Sequence, residues 1–276
     1  MPVRNCQNTV ALAIRSILNQ TYQQWELLIL EDGSSDGTLQ IARSFSDARI
    51  KVFSDGTPQG IATRLNQTID LCQGEYFARM DGDDVAYPDR LIQQVEYMVE
   101  HPAVDVLGGQ MLVFKGSGIP LGRRFAPLRH PEICRKPTDG FPMSHPSFLG
   151  KAAFFRHYRY RPAALLCEDQ DLLLRSYRDS CFANLPDIVY GYREEHIDLG
   201  KIAITRRTYS QILFHAFVQQ GRLDLALRAV TLQATKMLLD VVAVRTGLNY
   251  HLLRHRAAPI TAQERAEWQR VWAAVN

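Results

Sequence analysis

The sequence reads WELLILEDGSSDGT from residue 25 to residue 38. Its first six residues form a short apolar run, which predicts a buried strand. Glu31 and Asp32 follow directly, and Gly33, Gly37 and the serines between them predict a turn. Ligands of α/β sheets bind beyond the carboxyl ends of the strands, so this pattern predicts an acidic site at a strand end.

Helical and extended patterns alternate on both sides of this segment. Apolar residues recur at helical spacing over residues 10–20, 39–45, 61–71 and 88–100. Short apolar runs that predict strands cover residues 50–53, 76–80 and 104–107. The alternation predicts an α/β fold with a mixed, mainly parallel sheet flanked by helices, Rossmann-like in type. Residues 115–162, rich in Gly, Pro and Arg, are interpreted as loops and short strands, and residues from 201 onward as helices.

A second acidic group, Asp81-Gly82-Asp83-Asp84, follows the strand predicted over residues 76–80. Oxygen ligands suit a hard divalent cation. Alternation along an extended segment directs Asp81 and Asp83 to the same side, and Gly82 lets a phosphate approach closely. The alternative is a turn in which these residues serve backbone geometry alone.

Composition and charge limit the kinds of protein that this sequence can encode. The chain has 276 residues, of which 46% are hydrophobic, so an ordinary packed core is expected. The net charge is only +3, but residues 201–276 carry eleven Lys and Arg against four Asp and Glu. This basic segment either contacts anionic lipid or substrate, or presents ordinary solvated helix faces.

The cysteines and the apolar runs predict a compartment. The five cysteines are scattered without metal-ligand spacing, which favours reduced thiols in a cytoplasmic protein. The sequence shows no signal-peptide pattern and no apolar run of the ~20 residues that a membrane span needs. We therefore expect a cytoplasmic protein, with peripheral contact of the C-terminal helices with the inner membrane face as a further possibility.

Several ordered motifs resemble the family 2 glycosyltransferases, which have the GT-A fold. The matching stretches are PVRN at 2–5, SILNQTY at 16–22, LEDGSSDGT at 30–38, Gly60 with Arg64 and Asn66, DGDD at 81–84, CEDQDL at 167–172, and Tyr192-Arg193 followed by His196. The resemblance spans residues 1–200, so we predict a GT-A domain over 1–200 and a basic helical extension over 201–276.

The resemblance implies an inverting transfer of a sugar from a nucleotide-diphosphate donor, a UDP-sugar, to a hydroxyl acceptor. The acceptor would be a carbohydrate or lipid-linked molecule in surface polysaccharide or glycolipid assembly, and no nucleic acid partner is expected. On the donor side, the resemblance implies that Pro2, Val3 and Asn5 line the nucleoside pocket. It implies that Asp32 accepts a hydrogen bond from the nucleotide base and that Arg64 lies near the nucleotide. It further implies that Asp81 contacts the ribose or the metal, that Asp83 ligates Mn²⁺ or Mg²⁺, and that His196 completes the metal shell.

On the acceptor side the resemblance implies Asp169 as the catalytic base, because a sugar hydroxyl is a poor nucleophile until a carboxylate takes its proton. Glu168 and His145 would lie near the donor or acceptor sugar. The alternatives are a helix cap for Glu168 and Asp169, a loop hydrogen bond for His145, and an exposed surface position for His196.

The sequence departs from the family pattern in two places, and each departure predicts a structural feature. The family's first strand precedes the P-V-x-N motif, so about five strand residues are absent before Pro2, which predicts an unpaired gap between neighbouring strands. Arg79 stands where an apolar residue is usual, and is expected either to face solvent or to pair with an acidic neighbour.

Two other functions remain open at this point. A nucleotide-sugar binding protein without turnover would keep the donor site, although the presence of Asp32, Asp83 and Asp169 together argues against it. A nucleotidyltransferase would need a glycine-rich phosphate loop near the start, and the sequence has none.

Overall fold

The computed structural model describes residues 1–195, 198–246 and 258–276. The described strands are β1 (Pro2–Val3), β2 (Leu27–Glu31), β3 (Ile50–Ser54), β4 (Tyr76–Ala78), β5 (Val85–Ala86), β6 (Val106–Lys115), β7 (Ile119–Arg124), β8 (Leu149–Lys151) and β9 (Phe182–Arg193). The described helices are α1 (Val10–Leu18), α2 (Thr38–Arg43), α3 (Ile61–Leu71), α4 (Arg90–Glu100), α5 (His130–Ile133), α6 (Ala152–His157), α7 (Glu168–Ser176), α8 (Leu199–Gln219), α9 (Leu223–Arg245) and α10 (Ala262–Val275).

The strands form two sheets. The first has the order β1-β2-β3 and is parallel throughout. The second has the order β4-β8-β6-β9-β5, with β7 also paired to β6. In this second sheet only β6 and β9 run parallel, while the other pairs are antiparallel. The fold is therefore α/β with mixed strand directions, and the parallel pairs are those of the first sheet and the long β6–β9 pair of the second sheet.

The first strand is short and leaves a space beside it. β1 pairs with β2 through Pro2 opposite Leu30 and Val3 opposite Glu31. Next to Met1, a cavity of about 240 Å³ lies between β2 and β4, with Leu28 on one side and Phe77 on the other. The expectation that strand residues are absent before Pro2 stays a prediction.

The C-terminal helices divide into two groups. α8 and α9 lie against each other, and Tyr209, Leu213 and Phe217 of α8 pack in the same hydrophobic cluster as α7. In contrast, α10 returns to the first part of the chain, where its buried Trp268 packs with Phe114 of β6. The boundary at residue 200 stays a prediction, but the last helix contributes to the core formed by residues that precede it.

Candidate active site

The loop after β4 is held close to β1 by a glycine. A Cβ added to Gly82 would lie 2.7 Å from Val3 Cγ1 and 3.1 Å from Cys6 Sγ. A larger residue would therefore push this loop away from the PVRN segment. The close approach brings the acidic residues on either side of Gly82 next to Pro2, Val3 and the residues that follow.

Asp81, Asp83 and Asp84 form an acidic cluster. One carboxylate oxygen from each lies within 4.8 Å of the others, and no other group of this kind occurs among the described residues. Desolvation, followed by the charge of Asp81, raises the pKa of Asp83. Burial and then the charges of Asp83 and Asp81 raise the pKa of Asp84 well above its ordinary value. The three carboxylates repel one another, so a cation between them would relieve that repulsion.

Asp84 provides a further sign that the cluster is incomplete. Its Oδ1 accepts a 2.7 Å hydrogen bond from the Arg193 N–H, while its buried Oδ2 has no partner among the described residues. Unsatisfied buried oxygens are rare. An all-oxygen donor set with a spare buried oxygen fits a hard divalent cation such as Mn²⁺ or Mg²⁺. The sequence prediction named Asp81 and Asp83, and the structure adds Asp84.

Arg79 pairs with this cluster and also acts electrostatically on a second acidic group. Its side chain is 5% exposed, and Nη1 donates to Asp81 Oδ2 at 2.6 Å. Pairing with an acidic neighbour is confirmed, and the solvent-facing alternative is wrong. The positive charge of Arg79 partly offsets the rise in the pKa of Asp83 and that of Asp169, although burial dominates at both. Both carboxylates therefore lie within electrostatic reach of one guanidinium.

The second acidic group begins helix α7. Glu168 is buried and its Oε1 accepts from the Leu166 N–H at 3.1 Å. Asp169 Oδ2 accepts from Gln170 Nε2 at 3.1 Å. Burial raises the pKa of Asp169 and that of Glu168 above their ordinary values. The N-cap residue is Cys167, which makes no side-chain cap hydrogen bond, so the capping alternative for Glu168 and Asp169 is wrong.

Backbone strain marks two loops of this region. Asn5 and Leu166 are the non-glycine residues with positive φ in the described part of the chain, at 50° and 59°. Such conformations cost of order 1–3 kcal/mol and persist where surrounding structure fixes them, often at functional sites. Asn5 belongs to the predicted nucleoside loop, and Leu166 immediately precedes Cys167 and Glu168.

His145 lies in a 3₁₀ turn, and its Nε2 shares a 3.0 Å hydrogen bond with the Tyr160 hydroxyl. Burial, and then the nearby charge of Arg79, lower the pKa of His145 well below its ordinary value. The imidazole is therefore neutral near pH 7. Arg79 also acts on Tyr160, whose pKa burial raises above its ordinary value. The pair is therefore under the electrostatic influence of the same guanidinium as the two acidic groups.

A cavity of about 850 Å³ opens beside the acidic cluster. Of the predicted nucleotide and metal residues, it is lined by Pro2, Val3, Asn5, Asp81 and Asp83. Sequence reasoning missed another part of its wall, which consists of Gly116, Ser117, Arg193, Glu195, Trp272 and Asn276. Arg193 was visible in the Tyr192-Arg193 motif, but no motif indicated the last two.

Asp32 and Arg64 lie outside that lining. They form a 2.8 Å ion pair with side chains only 7% and 4% exposed. Asp32 Oδ1 also accepts from the Gln59 N–H at 2.7 Å, and Oδ2 accepts from the Gly60 N–H at 3.1 Å. Arg64 in turn bonds both oxygens of Asp55. The protein therefore already neutralises this carboxylate, although Oδ2 retains capacity for one more donor.

The prediction that His196 completes the metal shell lies outside the described residues. Asp32 and Arg64 form a separate ion pair, whereas Asp81, Asp83, Glu168, Asp169 and His145 all lie within electrostatic reach of Arg79.

Sequence comparisons support a family assignment. The model of the family described as "Glycosyl transferase family 2" matches residues 1–158. The chain is 33% identical over 233 residues to the putative glycosyltransferase EpsE of Bacillus subtilis, covering 82% of this chain and 83% of that protein. It is 32% identical over 129 residues to the Escherichia coli UDP-Glc:alpha-D-GlcNAc-diphosphoundecaprenol beta-1,3-glucosyltransferase WfgD, covering 47% of this chain and 50% of that protein.

Solved structures share the fold. S. aureus TarS 1-349 in complex with UDP-GlcNAc has a TM-score of 0.61 at 18% identity, covering 100% of this chain and 80% of that one. The mannosyltransferase PcManGT from Pyrobaculum calidifontis, in complex with GDP-Man and Mn²⁺, has a TM-score of 0.57 at 15% identity, covering 99% and 83%. The GT-A fold expected from the sequence is confirmed.

Proposed function

Because this chain belongs to glycosyl transferase family 2 and is a glycosyltransferase, we propose that it transfers the sugar of a UDP-sugar to a carbohydrate hydroxyl with inversion. The observation that supports this most is the arrangement around Arg79. A carboxylate cluster suited to a cation lies on one side of that guanidinium, and the raised-pKa carboxylate of Asp169 lies within its electrostatic reach. A cation-binding group and a base are the two components that such a transfer requires.

On the donor side, Asp81, Asp83 and Asp84 would hold a divalent cation, Mn²⁺ or Mg²⁺, next to the cavity lined by Pro2 and Asn5. When bound, this cation offsets the negative charge that grows on the diphosphate leaving group. The protein contributes the fixed geometry of the ligands, because Arg79 holds Asp81 and the Arg193 backbone holds Asp84.

On the acceptor side, Asp169 would act as the general base. Its oxygen takes the proton of the acceptor hydroxyl while the hydroxyl oxygen forms the new bond to the anomeric carbon. The bond from that carbon to the diphosphate breaks on the opposite face, which gives inversion. The raised pKa of Asp169 makes it a stronger base than an exposed aspartate, and general-base catalysis contributes about 10²–10⁴-fold.

Neighbouring groups would orient the two sugars. His145, neutral near pH 7, and the hydroxyl of Tyr160 offer hydrogen-bonding atoms without adding charge. Glu168 accepts from the Leu166 N–H through Oε1, and a carboxylate has further acceptor sites that a sugar hydroxyl would use. We assign these residues to binding the sugars rather than to proton transfer.

The choice of donor and acceptor rests on relatives. WfgD carries UDP-Glc and a diphosphoundecaprenol-linked sugar in its printed name, and the TarS complex contains UDP-GlcNAc. We therefore propose a UDP-sugar donor. Its uracil base would donate a hydrogen bond to Asp32 Oδ2, beside Arg64. The acceptor would be a lipid-linked or free carbohydrate of a surface polysaccharide or glycolipid.

Release of UDP from a panel of UDP-sugars, with Mn²⁺ and candidate acceptors, tests this function. The Asp169→Asn variant should lose at least ~100-fold in turnover while its affinity for UDP stays within twofold of the wild type. Asp179→Asn, at an exposed position in the turn after α7, serves as the control. Wild-type turnover in the Asp169→Asn protein would remove Asp169 as the base, and an α-linked product from an α-linked donor would remove inversion.

The α9 helix offers a surface for a membrane. In the described chain, no helix is both long enough and apolar enough to span a bilayer. α9 nevertheless exposes a set of large apolar side chains, namely Leu223, Leu227, Val230, Leu238, Leu239 and Val242. Arg228 and Arg245 are exposed on the same helix. Apolar side chains flanked by cations suit the headgroup region of an anionic bilayer, where a lipid-linked acceptor would reside.

Vesicle flotation tests this surface. The wild type should float with phosphatidylglycerol vesicles and less with phosphatidylcholine vesicles, and Leu227→Ser with Leu238→Ser should reduce flotation about tenfold. The matched control is Leu71→Ser with Val99→Ser, two exposed apolar residues on α3 and α4. Equal flotation of both double variants would contradict the assignment to α9.

A further inference from the structure

The end of the chain contributes to the donor cleft. Trp272 and Asn276 line the same cavity as Asp81 and Asp83. They belong to or directly follow α10, beyond the 1–158 segment that the family model matches. The part of the cleft next to the acidic cluster therefore includes a wall that the family motifs do not supply.

Several contacts fix the position of α10. Trp268 is fully buried and its Nε1 donates to the Gly118 carbonyl at 2.7 Å. Gly118 has φ +87° and lies so close to Trp272 that an added Cβ would be 2.4 Å from the indole. At the end of the helix, Arg15 Nη1 donates to the Val275 carbonyl at 3.1 Å. The turn between β6 and β7 and helix α1 therefore hold Trp272 in one place.

Arg193 connects Trp272 to the acidic cluster. Its guanidinium carbon lies 4.7 Å from the centroid of the Phe114 ring and 5.9 Å from that of Trp272. Its Nε donates to the Asp83 carbonyl at 2.8 Å, and its Nη1 donates to the Gly116 carbonyl at 2.7 Å. Arg193 thus holds the backbone of the loop that presents the carboxylates, and two aromatic rings hold its guanidinium.

We propose that Trp272 is a positioning residue of the donor site, which keeps Arg193 against the Asp83 loop and forms the indole wall of the nucleotide cleft. The inference rests on the proposed function, since it assumes that UDP with a divalent cation occupies this cleft. An indole at this distance from a guanidinium contributes a modest cation–π attraction. Its larger contribution is to close the space beside Arg193, which a small residue would leave open.

Affinity measurements test the positioning role. Titration calorimetry with UDP in the presence of Mn²⁺ should show about tenfold weaker binding for Trp272→Ala, and binding within twofold of wild type for Trp272→Phe, which keeps a ring beside Arg193. The matched control is Trp25→Ala. Trp25 also carries a guanidinium on its ring, Arg49 at 3.7 Å, but it lines the separate cavity between β2 and β4.

Fluorescence gives a readout that a merely structural residue would not change. The chain has three tryptophans, of which Trp268 is fully buried and Trp25 faces the other cavity. UDP with Mn²⁺, a paramagnetic quencher, should quench the wild type and Trp25→Phe alike. In Trp272→Phe at least half of that quenching should be lost. Because this variant preserves an aromatic ring, the result does not depend on whether Trp272→Ala folds.

The outcomes separate the inference from the function on which it rests. If the wild type binds UDP but Trp272→Ala binds equally well, or if Trp272→Phe is quenched as strongly as the wild type, Trp272 is not part of the donor site. If the wild type itself binds no UDP with Mn²⁺ or Mg²⁺ present, the proposed donor is wrong and the position of Trp272 has no bearing on it.

Discussion

The acidic residues at the ends of β2 and β4 differ in how far the protein has neutralised them. After β2, Asp32 pairs with Arg64 and accepts two backbone N–H groups, in a setting that is almost fully buried. After β4, three carboxylates face one another, and Asp84 Oδ2 has no partner among the described residues. Both groups looked alike in the sequence, as aspartates following an apolar strand.

The difference indicates which of the two groups favours a cation. A buried carboxylate that already has a guanidinium and two amides contributes mainly to the structure of its loop, and removing it would leave a buried charge unpaired. Crowded carboxylates with raised pKa values favour a cation, because each ionised oxygen destabilises the next. The protein alone neutralises the first group, although Asp32 Oδ2 can still accept one uncharged donor, whereas the second group is the one that we propose a metal ion completes.

The largest expected effect is on stability, from Asp32→Asn. This change removes the charge that faces the buried Arg64, so the free energy of unfolding should fall by about 3 kcal/mol, at the lower end for a broken buried pair because Asp55 still bonds Arg64. Urea denaturation measures it. Asp47→Asn, which breaks the more exposed pair with Arg49, is the control and should change stability much less. Equal losses in the free energy of unfolding would show that the buried Asp32–Arg64 pair stabilises the protein no more than the exposed Asp47–Arg49 pair does.

Asp83→Asn should have the opposite effect, with a large loss of UDP affinity and no loss of stability. Loss of one carboxylate from the cluster should weaken Mn²⁺-dependent binding of UDP at least ~100-fold, because even outer-shell changes at metal sites cost 10–100-fold. The free energy of unfolding without metal should be unchanged or higher, since a repelling charge is gone. Calorimetry and urea denaturation on the same preparations check both halves. A variant that is strongly destabilised but binds UDP normally would show that this cluster is structural as well.

Mn²⁺ alone should distinguish the two clusters in the wild type. At a free concentration tenfold above its dissociation constant, the ion should stabilise the protein by about 1.4 kcal/mol, and a chelator should reverse the effect. The stabilisation should survive in Asp32→Asn, whose metal ligands are intact, and disappear in Asp83→Asn. Stabilisation of Asp83→Asn by the same Mn²⁺ would place the ion elsewhere.

Local features of the fold were well predicted from the sequence. The apolar spacing predicted helix α3 over Ile61–Leu71 with its observed bounds, and the apolar runs over residues 25–30 and 50–53 predicted β2 and β3 to within two residues. These segments are predictable because the pattern of burial lies within each of them. The strand predicted over 104–107 proved to be the much longer β6, whose pairing with β9 depends on residues far along the chain.

The site was predictable only where its chemistry is local. Asp81, Asp83 and Asp169 belong to short motifs, so their residue types and the family resemblance together indicated roles for them. The influence of Arg79 on both acidic groups, and the place of Trp272 in the wall of the cavity beside Asp81 and Asp83, depend on how distant elements pack. No periodicity within residues 262–275 indicates that this helix docks beside β6 and β7 rather than with α8 and α9.

The smallest expected effect is the change in stability caused by Asp169→Asn, and it tests whether Asp169 resembles the carboxylates after β4 rather than Asp32. Burial raises its pKa above the ordinary 3.8, so the folded state binds this proton more tightly than the unfolded chain. Stability from this group is therefore present below about pH 3.8 and is lost as the pH rises through the folded-state pKa. Asp169→Asn should then be slightly more stable than the wild type at pH 7, and the gap should close towards pH 4. Urea denaturation across this range tests it, because a less stable variant at pH 7 would give Asp169 the structural role that Asp32 has.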